Sequence, residues 1–125
     1  MAELSGRANI LVAEDELLLA LDLQAMLQHA GYAVIGPARS LAAVKDRIAA
    51  HPDIALALLD LNLAGESAVP LARALLQGGT PVILTTGYDA HDVPDDLNGA
   101  HIYVKPVSSA ALLRAIAALL AQNAR

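Results

Sequence analysis

Residues 82–88 read VILTTGY: a short apolar run, 82–84, that stops abruptly at Thr85, Thr86, Gly87 and Tyr88. An apolar run of this length bounded by turn residues reads as a strand buried on both faces. A hydroxyl at its last rung then points at whatever lies beyond the sheet edge, and it needs a partner there. The same signature recurs along the chain. Residues 10–13, 54–59 and 102–104 are apolar runs with polar stops, and 33–35 is a weaker fifth.

Helical patterns lie between these runs. Leu19, Leu23, Met26, Leu27 and Ala30 recur at helical spacing over residues 17–30, with Gly31 as a stop. Ser40 can cap a helix running to about residue 50, and 66–77 forms a third. Ser108 or Ser109 can cap a last helix with Leu112, Ile116, Leu119 and Leu120 on its inner face. Between Tyr88 and Gly99, Pro94 and four aspartates leave room only for one short or frayed helix. Strands alternating with helices at this spacing predict right-handed crossovers, hence an α/β fold: a doubly wound, five-stranded parallel sheet with helices on both faces.

Bulk composition narrows the function classes. The 125 residues are the usual size of one domain, and 56% apolar residues are enough for a full core. No repeat, low-complexity stretch or linker divides residues 1–125, so a single domain is expected. The net charge is −5 and no stretch concentrates Lys and Arg, which argues against a nucleic-acid surface. The absence of cysteine removes disulfides, zinc-thiolate sites and thiol nucleophiles, and a cytoplasmic location is expected. No run resembles a signal peptide or a membrane span, so no membrane partner is expected. Phe and Trp are absent, so the aromatic character rests on Tyr32, Tyr88 and Tyr103.

Ligands of such sheets bind beyond the carboxyl ends of the strands. Strand one is followed there by Glu14, Asp15 and Glu16, strand three by Asp60, strand four by Thr85 and Thr86, and strand five by Lys105 and Pro106. If the strand order is 2-1-3-4-5, strands one and three are neighbours, and Glu14, Asp15 and Asp60 meet in one crevice. Two carboxylates about 4 Å apart repel by roughly 4 kcal/mol at an effective dielectric of 20. The cluster must therefore protonate, bind a cation or keep a lysine nearby, and Lys105 can be that lysine. Oxygen-only ligands suit Mg²⁺, which is held by one or two carboxylates, waters and a phosphate oxygen. The chemistry that follows is phosphoryl transfer to Asp60, with Mg²⁺, a lysine and a hydroxyl neutralising the equatorial oxygens.

With these residues in place, the chain resembles the receiver domains of two-component response regulators over about residues 8–121. The resemblance supplies the flavodoxin-like strand order 2-1-3-4-5. It implies that Glu14 and Asp15 in ILVAEDE are the acidic pair, Asp60 in LLDLNL the phosphoacceptor, Thr86 the hydroxyl residue and Lys105 in VKP the lysine. Asn62 matches the residue whose backbone carbonyl reaches Mg²⁺, so the implied metal set is Glu14, Asp15, Asp60 and Asn62. A cis peptide between Lys105 and Pro106 is also implied. The aromatic switch that receivers often carry three residues before the lysine is replaced by Ile102, with Tyr103 on the opposite face. LTTGYD and GESAVPLARAL resemble the FAT-GUY subgroup, often single-domain proteins, although Leu84 stands for Phe and Thr85 for Ala. The implied partners are a histidine kinase, of the HWE type in that subgroup, or a histidine phosphotransfer protein. The implied function is that of a phosphoacceptor rather than an enzyme. No output domain is expected beyond residue 121, and with it no direct transcriptional role. The short segment 88–99 is expected to become ordered on phosphorylation, with Tyr88 as a reporter.

Plainer readings stand beside these. Glu16 reads as helix N-terminal charge, Thr85 as strand packing, and His29, His51, His91 and His101 lie at no metal-ligand spacing. Leu17, Leu18 and Leu21 lie partly off the inner face of helix one, as extra packing or as a docking face for a partner. A flavin- or nucleotide-binding module would need a phosphate-cradling loop after strand one, where AEDE repels an anion. A phosphohydrolase would need a cap for which 125 residues leave no room. A receiver used only for dimerisation is disfavoured by the Asp60, Thr86 and Lys105 set.

Overall fold

Strand β1, Asn9–Ala13, is an interior strand of the sheet because its apolar run can be buried from both sides, and Ile10, Leu11 and Val12 are fully inaccessible. The computed structural model describes residues 7–87, 93–97 and 99–123. After β1 come helix α1, Leu17–His29, strand β2, Ala33–Ala38, and helix α2, Leu41–Ala50. Then follow β3, Leu56–Asp60, a small hairpin of Asn62–Leu63 with Glu66–Ser67, α3, Val69–Gln77, and β4, Val82–Thr86. A 3₁₀ turn, Asp95–Leu97, precedes β5, His101–Val104, and α4, Ser109–Asn123.

All pairings in the main sheet are parallel, and the order is β2-β1-β3-β4-β5, as expected. The two-residue period of the strands divides the core. Leu11, Ala57, Leu59, Val82 and Leu84 pack with Val44 of α2 and Ala72 and Leu75 of α3. Ile10, Val12, Leu56, Leu58 and Ile83 pack on the other face with Leu27 of α1 and Leu112, Ile116 and Leu119 of α4. Ile102 joins the first cluster and Tyr103 the second, so the two do lie on opposite faces.

Helix starts follow local chemistry. Ser40 caps α2 by accepting the Ala43 N–H at 3.1 Å, and Ser108 caps α4 by accepting the Ala111 N–H at 3.0 Å. Two elements differ from expectation. The third helix begins at Val69 rather than 66, because Glu66 and Ser67 pair antiparallel with Leu63 and Asn62, and Pro70 suits only a first turn. Strand β2 runs on to Ala38 through a cis Gly36–Pro37 bond. A side chain at position 36 would meet the Ala38 nitrogen at 2.6 Å and the Val12 carbonyl at 2.8 Å, so only glycine fits there. The expected cis Lys105–Pro106 bond is present. Of the 88–99 segment, the described part shows the single 3₁₀ turn; Tyr88 and residues 89–92 lie outside the described residues. Leu17, Leu18 and Leu21 are exposed, at 49%, 72% and 48%, so they do not add to the packing of α1.

Candidate functional site

The buried polar residues among those described are Glu14, Asp60, Thr85 and Thr86, and all of them stand at the carboxyl end of the sheet. Parallel pairing brings them together: Leu59 and Asp60 of β3 lie level with Leu84 and Thr85 of β4, and β1 ends beside them. Glu14, Asp15 and Asp60 each place a carboxylate oxygen within 4.8 Å of the others. Lys105 reaches back from the end of β5, its Nζ 2.9 Å from Glu14 Oε1 and 2.9 Å from Asp60 Oδ2. Two of the three carboxylates thus share one ammonium, and with Asp15 beside them the cluster is net negative.

Each charge is stabilised differently. Burial pushes the Glu14 carboxyl up from its ordinary value, more than the Lys105 and Glu16 N–H hydrogen bonds pull it down. Burial alone would depress Lys105, but the hydrogen bonds it donates to Asp60 and Glu14 outweigh it and its pKa is raised. Asp15 is held lower, chiefly by the Ala64 N–H, which donates to its Oδ2 at 3.0 Å. Asp15 therefore stays ionised near neutral pH, and Lys105 stays a cation.

The loop after β3 forms the outer wall. Asp60 Oδ1 accepts the Asn62 N–H at 3.2 Å, and Asn62 Oδ1 accepts the Gly65 N–H at 3.0 Å. Ala64 and Gly65 form a two-residue turn with φ of 52° and 86°, both left-handed. Such a turn favours Asn-Gly, and an alanine there costs about 1 to 2 kcal/mol. The Asp15 carboxylate and the Asn62 amide hold the strained turn in place.

Thr85 and Thr86 face different ways. Thr85 is in register with Asp60 and lines a cleft of about 550 Å³ with Glu14, Lys105, Leu19 and Leu23. Thr86 follows the other face and lines a cleft of about 280 Å³ with Asp60, Asn62, Ser67 and Gly87. Its backbone carbonyl accepts the Lys105 N–H at 2.8 Å, which joins the ends of β4 and β5.

The sequence-predicted residues Glu14, Asp15, Asp60, Asn62, Thr86 and Lys105 thus converge on one crevice. Sequence reasoning missed Arg39, whose Nε and Nη2 both donate to the Asp15 carbonyl at 3.2 Å. Thr85, read as strand packing, is indeed a buried residue of β4, and it also borders the Glu14–Lys105 cleft. An oxygen-only donor set with excess negative charge fits a hard divalent cation, and among the described residues Glu14, Asp15 and Asp60 are the side chains that could hold one. No described helix is long and apolar enough to cross a membrane.

No family profile matches the chain. It is 36% identical to YkoG, an uncharacterized transcriptional regulatory protein of Bacillus subtilis, over 94% of this chain and 53% of that protein. The chain spans about half the length of the curated relatives it matches. Among solved structures it superposes on SdrG of Sphingomonas melonis at a TM-score of 0.77, 30% identity, 91% of this chain and 97% of that one. A response regulator receiver protein of Sinorhizobium medicae matches at a TM-score of 0.77 and 27% identity, covering 91% and 94% of the two chains. Sheet order, the acidic cluster at the strand ends and these likenesses agree: the chain belongs to the receiver domains of two-component response regulators.

Proposed function

We propose that this receiver accepts a phosphoryl group on Asp60 from a histidine kinase or a histidine phosphotransfer protein and signals through the surface that then changes. The observation that carries the reading is the pinning of Asp60 between Lys105 Nζ and the Asn62 N–H, inside a carboxylate cluster suited to Mg²⁺. A carboxylate oxygen of Asp60 attacks phosphorus, the P–N bond of the phosphohistidine breaks, and the imidazole leaves with the bonding electron pair and takes up a proton. An acyl phosphate remains on Asp60. Lys105 meets the charge that builds on the transferring oxygens, and the Thr86 hydroxyl, in the cleft beside Asp60, donates to one of them. Glu14, Asp15, Asp60 and the Asn62 carbonyl would hold Mg²⁺, which when bound neutralises phosphoryl charge. The phosphoryl adds roughly −1.5 to −2 of charge, enough to draw Thr86 toward Asp60, which Lys105 already contacts.

Membership of the FAT-GUY subgroup follows the LTTGYD stretch and the absence of an aromatic at Ile102, and favours an HWE-type kinase as donor. The exposed Leu17, Leu18 and Leu21 of α1, close to the site, give such a donor an apolar surface. Incubation with acetyl phosphate and Mg²⁺, read by intact mass, tests the reading. One added phosphoryl is expected, absent in Asp60→Asn and in the presence of EDTA. No adduct from any donor, a histidine kinase included, would overturn it.

A further inference from the structure

Arg39 follows β2, lies exposed, and belongs to neither core cluster. Yet its guanidinium spends two donors on one acceptor, the carbonyl of Asp15, with both contacts at 3.2 Å. A backbone carbonyl has two lone pairs and a guanidinium a rigid fork of donors, so the pairing fixes the backbone between β1 and α1 in orientation as well as position.

That backbone carries Asp15, and Asp15 Oδ2 accepts the N–H of Ala64 at 3.0 Å. Ala64 is the described non-glycine residue with positive φ, so its turn depends on outside support. From the same turn the Gly65 N–H reaches Asn62 Oδ1 at 3.0 Å, and the Asn62 N–H reaches Asp60 Oδ1 at 3.2 Å. Hydrogen bonds therefore run without interruption from Arg39 through Asp15 and the turn to Asp60. A carboxylate has more acceptor sites than this one contact uses, so Asp15 can hold the turn and still serve as a cation ligand.

We propose that Arg39 is a positioning residue for the cation site: it fixes Asp15, and through Asp15 the Ala64–Gly65 turn that sets Asn62 against Asp60. This rests on the reading of Glu14, Asp15 and Asp60 as the cation site. Groups that orient ligands without touching the ion change affinity by about tenfold or more when removed.

The test is calorimetric titration of the full chain with Mg²⁺ alone, together with amide exchange at Ala64 and Gly65 and a thermal midpoint. Arg39→Ala is expected to weaken Mg²⁺ by about tenfold and to speed exchange at Ala64 while leaving the thermal midpoint unchanged. Arg39→Lys, which keeps one donor, is expected to recover part of both. Equal Mg²⁺ affinity in Arg39→Ala and the unaltered chain overturns the proposal alone, as does unchanged exchange at Ala64. A loss in Arg39→Ala that tracks a lowered thermal midpoint and is not relieved by lysine also overturns it, as a merely structural effect. If the unaltered chain takes up no Mg²⁺, the cation-site reading fails and this proposal falls with it.

Discussion

Asp60 has two flanks built in different ways. On one, Glu14 and Lys105 extend from the ends of central and edge strands, and the carboxylate is almost fully buried, at 1% exposure. On the other, Asn62, Ala64 and Gly65 lie exposed on a hairpin with two-residue strands, tied down by single hydrogen bonds to side chains. The strand-borne flank carries charges that burial makes costly, so their geometry is set by the sheet. The hairpin flank carries backbone groups whose placement is adjustable, because only a few contacts fix it. Chemistry that must not drift is therefore on strands, and ligand placement that can be tuned is on a turn.

Breaking the strand flank gives the largest effects. Lys105→Met removes the ammonium but keeps the apolar stem; phosphorylation by acetyl phosphate is expected to slow by about a hundredfold, measured as the rate of mass gain. Thr86→Val follows, with a loss of about tenfold, the worth of one hydrogen bond to a charged group. Thr85→Val on the same assay should stay near the unaltered rate, since Thr85 borders the Glu14–Lys105 cleft rather than the one Asp60 shares with Thr86. Equal losses in the two variants would erase the distinction between the faces.

Smaller effects read the charge balance and the turn. Because the folded pKa of Glu14 is raised, folding favours its protonated form. In EDTA, the Glu14 contribution to stability should be fully present below the ordinary value of 4.5 and be lost as pH rises through the higher folded value, opposite in sign to that of Asp15. Glu14→Gln should flatten that slope in thermal melts and abolish stabilisation by Mg²⁺. On the hairpin flank, Ala64→Asn supplies the residue that a turn of this kind prefers. A gain of about 0.5 to 1 kcal/mol in denaturant unfolding is expected, with phosphorylation unchanged.

The strand-end residues were legible because an apolar run that stops at a carboxylate, a threonine or a lysine leaves a mark in the sequence. Glu14, Asp60, Thr86 and Lys105 all carry that mark, and the sheet order then sets them side by side. The hairpin carried none. Glu66 and Ser67 are compatible with a helix start, and its turn is Ala-Gly rather than Asn-Gly, so the sequence pattern reads as a helix from 66. Strand β2 was cut short at residue 35 because Gly36 and Pro37 argue against a strand, whereas close backbone contact with Val12 requires that glycine. Arg39 was invisible for another reason: its partner is a backbone carbonyl 24 positions away, and no side-chain pattern encodes that.

The contact between Lys105 and Glu14 spans 91 positions, and that between Lys105 and Asp60 spans 45. About three quarters of the polypeptide is enclosed in one loop closed by a single ammonium. The loop-closure entropy must be met before these contacts repay it, so a chain that has docked only β1 to β3 gathers the three carboxylates without their ammonium. On the proposed function, phosphoryl uptake then reaches its full rate only once β5 is seated and Lys105 stands beside Asp60.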